Sequence, residues 1–384
     1  MEILLIHTTA SPQIRYGRLQ KAAGRTAPLG LACLEAAFPG RLALVDLQHR
    51  GSGALEAVAA ALDGLLANLW PSPWPRVRAV VVQAASDWTE ETSATLAQAI
   101  RERFPEARLV LGGEIRRRFL PHWDALVLGT GHRLVAGLLA GDHPSGWSET
   151  LAADLREPLP VPASPLTDAA GYTASAEKQI TGRTIAVYQP WLGLLDRTQI
   201  LCTRPPIPFL ARLVPWLQRS GFDAVAFAAP VWPAAAYEEL QEICFQQRFP
   251  FSLAVSDPSE AAAIARLPTG FLDRLWLFPG NREDLLEAFS AIAPRFGEME
   301  VRLGLRLRHD LARSPFLESL MECCEHLSIK LPGEWESALL RRVLVDFYLR
   351  QGRLWQHLWR LRSARDLLTF MRGAYGLFDL VIRR

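Results

Sequence analysis

The sequence predicts an α/β protein with two domains, each built on a parallel sheet, and three observations lead to that class. The chain of 384 residues is longer than one ordinary domain. Short apolar runs rich in Val, Ile and Leu alternate with segments of helical period, which is typical of strands buried on both faces. Hydrophobic residues make up 49% of the chain and charged residues 21%, so the composition is that of a globular protein.

Net charge and cysteine usage indicate the cellular compartment of the protein and the kinds of partner it can bind. The formal net charge of +2 gives no argument for a nucleic-acid partner. Five cysteines, scattered and odd in number, suit a reduced cytoplasmic protein better than a disulfide framework. No basic stretch precedes the first apolar run, which argues against a signal peptide. No apolar run reaches the roughly 20 residues of a membrane span. We therefore expect a cytoplasmic protein without a transmembrane segment.

The first domain is expected over residues 1–145. Its strand candidates are residues 3–6, 42–45, 79–82, 109–111 and 125–128, separated by helical patterns over 29–38, 54–69 and 92–103. Such alternation predicts a doubly wound, Rossmann-like sheet, and sheets of this kind bind ligands beyond the carboxyl ends of their strands.

Glycines and small polar residues follow these strands, where a ligand would lie. Hydroxyl groups can hydrogen-bond a cofactor there, and glycines let the backbone approach a flat ligand closely. The residues selected on this basis are Thr8, Thr9, Ser86, Thr89, Gly112, Gly113, Gly129 and Gly131. Ordinary strand-to-helix turns are the alternative, because a lone glycine pair is a weak signal.

Four segments of the first domain form a pattern when taken in order: 28–31 (PLGL), 45–46 (VD), 109–113 (LVLGG) and 124–132 (DALVLGTGH). This pattern resembles the cobalamin-binding domain at the front of many radical-SAM enzymes. The family typically has D-x-V-V-x-G-E-G-E in the last segment, so Thr130 and His132 stand where acidic residues are usual. The resemblance implies a cobalamin cofactor in the first domain.

A histidine ligand to the cobalt is not indicated by the motif that usually supplies one. Cobalamin modules that bind the cobalt from below carry D-x-H-x-x-G. The nearest stretch here, Asp46-Leu-Gln-His49-Arg-Gly51, has different spacing and follows a different strand. We interpret Asp46 and His49 as turn or surface residues. Radical-SAM relatives commonly leave that face of the cobalt without a protein histidine.

A proline-rich linker is expected over residues 146–182, because proline favours extended backbone and cannot continue a helix. The second domain, residues 183–332, has six strand candidates. They are residues 184–188, 224–228, 251–255, 274–278, 300–305 and 327–330, separated by helical patterns over 209–220, 235–247, 259–266 and 283–293. This repeat is similar to the partial (β/α)6 barrel of radical-SAM proteins, whose site opens at the carboxyl ends of the strands.

The loop after the first strand of that barrel lacks the cysteines of the family. Radical-SAM proteins hold a [4Fe–4S] cluster there on three thiolates, and the open iron site binds S-adenosylmethionine. The equivalent stretch, residues 187–198, has Trp191, Leu195 and Thr198 at the ligand positions, and none of them can supply a thiolate. We expect no [4Fe–4S] cluster. Apolar residues of the loop, including Leu194, are expected to plug the barrel mouth, which makes S-adenosylmethionine binding doubtful.

Residues 333–384 are expected to form helices with a basic surface. Residues 340–361 are helical in period, and arginines, Trp355 and Trp359 lie around an apolar stripe. Such a helix either packs on the barrel with a solvated arginine face, or contacts a protein partner or an anionic membrane surface.

Three functions remain open from the sequence. The one we favour is a cobalamin-binding pseudoenzyme, a partner or regulatory subunit of a biosynthetic enzyme such as an intact radical-SAM enzyme. The second is a cobalamin-dependent methyltransferase that needs no radical, because cobalamin can itself carry a methyl group. The third is a scaffold that binds neither cofactor, since fold alone does not establish function. No catalytic residue stands out, because Asp196, Arg197 and His309 are better explained as surface or salt-bridge residues.

Overall fold

The chain divides into two units in the computed structural model. The first unit comprises Met1–Arg15, Pro28–Ser164 and Gln189–Leu201, and the second comprises Tyr16–Ala27, Pro165–Tyr188 and Cys202–Arg384. The structure describes residues 2–8, 27–46, 77–84, 90–114, 117–128, 131–149, 160–163, 185–188, 193–194, 207–227, 234–255, 263–264, 271–277, 302–308, 326–330, 345–350 and 352–359, and single residues between 361 and 374.

A parallel sheet forms the centre of the first unit. Its strands are β1 (Ile3–His7), β2 (Leu42–Asp46), β3 (Ala79–Ala84), β4 (Arg108–Glu114), β5 (Ala125–Leu128), β6 (Gly146–Glu149) and β8 (Gly193–Leu194). They lie in the order β2-β1-β3-β4-β5-β6, with β8 paired to β4. The Ile and Leu side chains of β1 and the valines of β3 are fully buried, as expected for central parallel strands.

Helices connect these strands and complete the core of the unit. They are α1 (Leu29–Ala37), α2 (Glu90–Arg103) and α3 (His132–Ala140), with a 3₁₀ turn at Arg117–His122. The α2 helix begins with two glutamates and ends with arginines, which complements its dipole. In the core, the indole Nε1 of Trp123 donates a 2.8 Å hydrogen bond to Ser93 Oγ, so a large aromatic group is buried without an unsatisfied donor.

A second parallel sheet, of sequential strand order, forms the second unit. Its strands are β7 (Ile185–Tyr188), β9 (Ala224–Phe227), β10 (Phe251–Val255), β11 (Leu272–Leu277), β12 (Arg302–Arg308) and β13 (His326–Lys330). They pair in the order β7-β9-β10-β11-β12-β13. The helices are α4 (Ile207–Arg219), α5 (Ala234–Gln247), a π-helical turn at Asp346–Arg350 and α6 (Arg353–Leu358).

The structure confirms an α/β protein with parallel sheets, and each predicted strand begins and ends within three residues of its observed bounds. The predicted helices over 54–69 and 283–293 lie outside the described residues. Within the described part of the chain, no helix is long and apolar enough to cross a membrane.

Two segments differ from the sequence prediction. Residues 146–149, assigned to the linker, form β6, which pairs with β5 after a hydrogen bond from Gly146 N to Asp124 O. Residues 193–194, assigned to a loop of the second domain, form β8 in the first sheet. Both strands are short and contain Gly or Ser, so neither produces the continuous apolar run that identifies a buried parallel strand.

Candidate functional site

The strand order of the first sheet reverses between β1 and β3. From β1 the chain passes to β2 on one side, and it then returns to β3 on the other side. In open α/β sheets a crevice forms outside the carboxyl ends of the strands at such a reversal, and ligands bind there. We call the row of strand ends from β2 to β5 the carboxyl edge.

Four residues lie side by side across this edge. The parallel register places His7 opposite Asp46 on one side and opposite Gln83 on the other. Gln83 in turn lies opposite Gly112 of β4. The sheet therefore brings together an imidazole, a carboxylate, an amide and a glycine from four strands that are distant in sequence.

His7 and Asp46 form a shielded polar pair at the reversal. The His7 Nδ1 atom lies 3.1 Å from Asp46 Oδ1, and the two side chains are only 10% and 11% exposed. Because an ionised carboxylate can only accept a hydrogen bond, Nδ1 carries the proton in this pair. In the neutral imidazole, Nε2 then holds the lone pair. A carboxylate that orients histidine in this way is the usual outer partner of a metal-binding imidazole or of a catalytic base.

This pair corrects the sequence interpretation of Asp46. The sequence analysis placed it in a turn or on the surface, but it is the last residue of β2 and its side chain is largely shielded. The reason is the pairing of β2 with β1, which places Asp46 beside His7. His49 lies outside the described residues.

Thr8 joins the ends of β1 and β3. Its hydroxyl group donates a 2.7 Å hydrogen bond to the carbonyl oxygen of Gln83, and the residue is 8% exposed. The structure thus places Thr8 at the predicted edge, and its hydroxyl proton is donated to the protein backbone. A ligand at this position would meet the oxygen of Thr8 as an acceptor.

Glycines at the ends of β4 and β5 adopt backbone conformations that side chains disfavour. Gly113 has φ of +91° and Gly131, which precedes α3, has φ of +83°. In this left-handed region a Cβ atom is strained, so glycine is required by the backbone itself. Gly112 and Gly113 are both buried at the end of β4, where they pair with β3. Neither has a side chain, so only backbone atoms lie at these two positions.

The β8 strand lies at the same edge. Gly193 pairs with Gly113, and Leu194 pairs with Glu114. The β3 strand pairs with one side of β4, so β8 pairs with the other side, which β5 also uses. The β8 pairings, at Gly113 and Glu114, lie beyond Val110 and Leu111, the β4 residues that pair with β5. Leu194, which the sequence assigned to an apolar plug of the barrel mouth, is therefore part of the first sheet.

The segment that resembles the family's acidic motif has structural contacts at both ends. Asp124 accepts hydrogen bonds from Leu109 N at 2.7 Å and from Arg101 Nη2 at 3.0 Å, which holds β5 beside β4. His132 stacks on Phe38, with ring centroids 5.1 Å apart. This ring contact gives His132 a packing role.

Several predicted site residues lie outside the described residues. They are Thr9, Ser86, Thr89 and Gly129 of the first domain, and Trp191, Leu195 and Thr198 of the loop that lacks cysteines. Asp196, Arg197 and His309 lie outside them as well.

The two described cysteines, Cys33 and Cys244, are free thiols buried in the protein. Burial raises the pKa of the Cys33 and Cys244 thiols to about 12. Both thiols therefore hold their protons at neutral pH. In the part of the chain that the structure describes, no group of three or more His, Cys, Asp or Glu residues has a metal-binding arrangement.

The class of protein that these observations define is a two-unit parallel α/β protein whose first sheet reverses its strand order beside a carboxyl edge that carries polar residues and glycines. No protein-family model matches the chain, and no curated protein is significantly similar to it in sequence. The function therefore has to be argued from the residues of this edge.

Proposed function

We propose that the first unit binds cobalamin at its carboxyl edge and that the protein acts, without an iron–sulfur cluster, as a partner or regulatory subunit of a biosynthetic enzyme. The observation that carries the proposal is the His7–Asp46 pair at the reversal between β1 and β3. A carboxylate-supported imidazole beside glycine-lined strand ends suits a flat, metal-centred cofactor.

The residues of the edge fit such a cofactor in three respects. His7 has one ring nitrogen held by Asp46, which makes Nε2 the atom that would coordinate cobalt. Gly112 and Gly113 at the end of β4 place no side chain in the way of a large ring bound beyond the strand ends. Thr8 offers an oxygen acceptor to an amide of the corrin periphery. Cobalamin, when bound, supplies a cobalt that can carry a methyl group.

The second unit supports the part of the proposal that says the protein acts without an iron–sulfur cluster. Its six parallel strands pair in sequential order, which is the order of a (β/α) barrel. We infer that this unit is a degenerate radical-SAM-like barrel, because the stretch over residues 187–198 has no cysteine. Analysis of the purified protein should find no iron and no acid-labile sulfide. Four irons per chain would contradict this inference.

Cobalamin binding is tested with the full chain. The protein is incubated with hydroxocobalamin, separated by gel filtration and examined by visible spectroscopy, and the expected product is coloured. After reduction to the cobalt(II) state, electron paramagnetic resonance of protein labelled with nitrogen-15 histidine should show coupling to a histidine nitrogen. His7→Ala should abolish that coupling. His143→Ala, which removes an exposed histidine, is the matched control. A colourless wild-type product would refute the proposal.

The glycine backbone gives a second, independent test of the site. Gly113→Ala should weaken cobalamin binding by about tenfold or more, because a Cβ atom strains the backbone at φ +91°. Gly40→Ala carries the same backbone strain at φ +74° in open space away from the edge, so it should leave the dissociation constant unchanged. Equal weakening in both variants would point to general destabilisation and away from a binding role for Gly113.

The partner role is tested by co-purification from the native host. A stoichiometric partner with an intact C-x3-C-x2-C motif would support a subunit role. Methyl transfer by the cobalamin-loaded protein alone would instead support the methyltransferase function.

A further inference from the structure

An apolar surface is exposed in the segment that follows the second sheet. Trp355 and Trp359 are 63% and 87% exposed, and Leu368 and Met371 are 63% and 55% exposed. Large apolar side chains that are exposed repeatedly along one short segment are a sign of an interaction surface. We call these four residues the tail surface.

The tail surface belongs to a segment that is packed on the protein through other residues. Leu354, Phe370 and Ala374 are at most 5% exposed, and Phe347 and Tyr348 are fully buried. Trp359 N donates a 3.1 Å hydrogen bond to Trp355 O, so the two tryptophans lie one helical turn apart. The segment therefore has one face buried and another face that presents tryptophan to solvent.

The charge of the same segment indicates which kind of partner binds the tail surface. The last 44 residues of the sequence contain ten arginines and three acidic residues, although the whole chain has a net charge of only +2. Residues 347–365 contain five arginines and no acidic residue. A basic helical segment that exposes Trp and Leu matches an anionic lipid surface, where tryptophan lies at the headgroup level and arginine attracts the lipid charge.

We propose that the tail surface docks the protein on an anionic membrane surface. Trp355, Trp359, Leu368 and Met371 enter the headgroup region, and the neighbouring arginines pair with lipid phosphates or carboxylates. The protein is held on one leaflet. The tail surface shares no residue with the carboxyl edge, so failure of one proposal leaves the other standing.

Vesicle co-sedimentation of the full chain tests the proposal. Vesicles of phosphatidylcholine with about 30 mol% phosphatidylserine should sediment the protein, whereas phosphatidylcholine alone should not. Raising the salt from about 0.1 M to about 1 M shortens the screening length from about 10 Å to about 3 Å and should release the protein. Sedimentation that is equal with both vesicles, or absent with both, would overturn the proposal.

Substitutions then connect binding to the tail surface. Trp355→Ser combined with Trp359→Ser should lower the vesicle partition coefficient by about tenfold or more. Phe245→Ser is the matched control, because Phe245 is an aromatic residue with 63% exposure on α5, outside the tail surface. The reversal Arg360→Glu with Arg362→Glu should also weaken binding to anionic vesicles. Unchanged binding in the double tryptophan variant would overturn the assignment of this surface.

Light scattering of the free protein distinguishes a lipid from a second copy of the chain. The proposal expects the same molar mass for the wild type and the double tryptophan variant. A wild-type dimer that dissociates in that variant would assign the surface to self-association and overturn membrane docking.

Discussion

A double-mutant cycle on His7 and Asp46 measures how strongly the first sheet depends on the polar pair at its carboxyl edge. The atoms Nδ1 and Oδ1 are 3.1 Å apart and both side chains are about nine-tenths shielded. A hydrogen bond that involves a charged group contributes about 1.5–3 kcal/mol, and an abandoned buried partner costs about 1–3 kcal/mol. Asp46→Ala should therefore lower the free energy of unfolding by about 2–3 kcal/mol.

The coupling energy separates the pair from the effect of truncating either residue. His7→Ala and Asp46→Ala combined should cost less than the two changes added together, by about 1.5–2 kcal/mol, because only one hydrogen bond is lost. Asp46→Asn keeps an acceptor oxygen for Nδ1–H and should cost about 1 kcal/mol, which isolates the contribution of the carboxylate charge.

Hydrogen exchange of backbone amides in β1 and β2, followed along a urea titration, is the appropriate assay. The chain has two units, so a single unfolding curve does not report the first sheet alone. A coupling energy below about 0.5 kcal/mol would refute the reasoning, because residues without direct contact give values of that size.

Two further predictions concern titratable groups that the fold shields partly or fully from solvent. Burial raises the pKa of Glu35 above its usual value of 4.5, although the Leu44 amide donates to its carboxylate at 3.1 Å and acts in the opposite direction. The native state then holds more protons than the unfolded state above pH 4.5, so stability falls as the pH rises through that window. Glu35→Gln should raise the free energy of unfolding at pH 7, measured by the same exchange assay. The gain in stability should disappear below pH 4.5. An equal gain at both pH values would contradict the argument that burial raises the pKa of Glu35. The thiols of Cys33 and Cys244, with pKa values of about 12, are thiolate in only about 10⁻⁴ of molecules at pH 8. Both should react slowly with iodoacetamide in the native protein and rapidly in urea, as followed by mass spectrometry of the labelled peptides, and fast native labelling would show that they are accessible.

The sequence predicted the central strands well for a physical reason. A parallel strand covered on both faces needs a continuous run of Val, Ile or Leu, and β1, β3 and β4 carry such runs. The sequence missed β6 and β8 because strands of four and two residues do not form a run of that kind. Gly113 and Gly131 were selected from the sequence because each lies after an apolar run, whereas their positive φ is a finding of the structure.

The main feature of the candidate site depends on contacts between distant segments. His7 and Asp46 are separated by 39 positions, and they meet only because β2 pairs with β1. The alternation of strands and helices along the sequence does not reveal that β2 pairs with β1. The available signal was that each residue directly follows an apolar run of its own strand, which places both at the carboxyl edge.

The pairing of β8 with β4 has a consequence for the order in which the chain folds during synthesis. The strands β1 to β6 leave the ribosome before β7, and β8 follows only after β7 has been made. The first sheet therefore reaches its full strand set only after synthesis of the second unit has begun, and until then the end of β4 beyond β5 lacks the strand that pairs with it. Gly113 lies at that end, so the carboxyl edge is completed late, by a segment whose contact with β4 spans a long stretch of sequence.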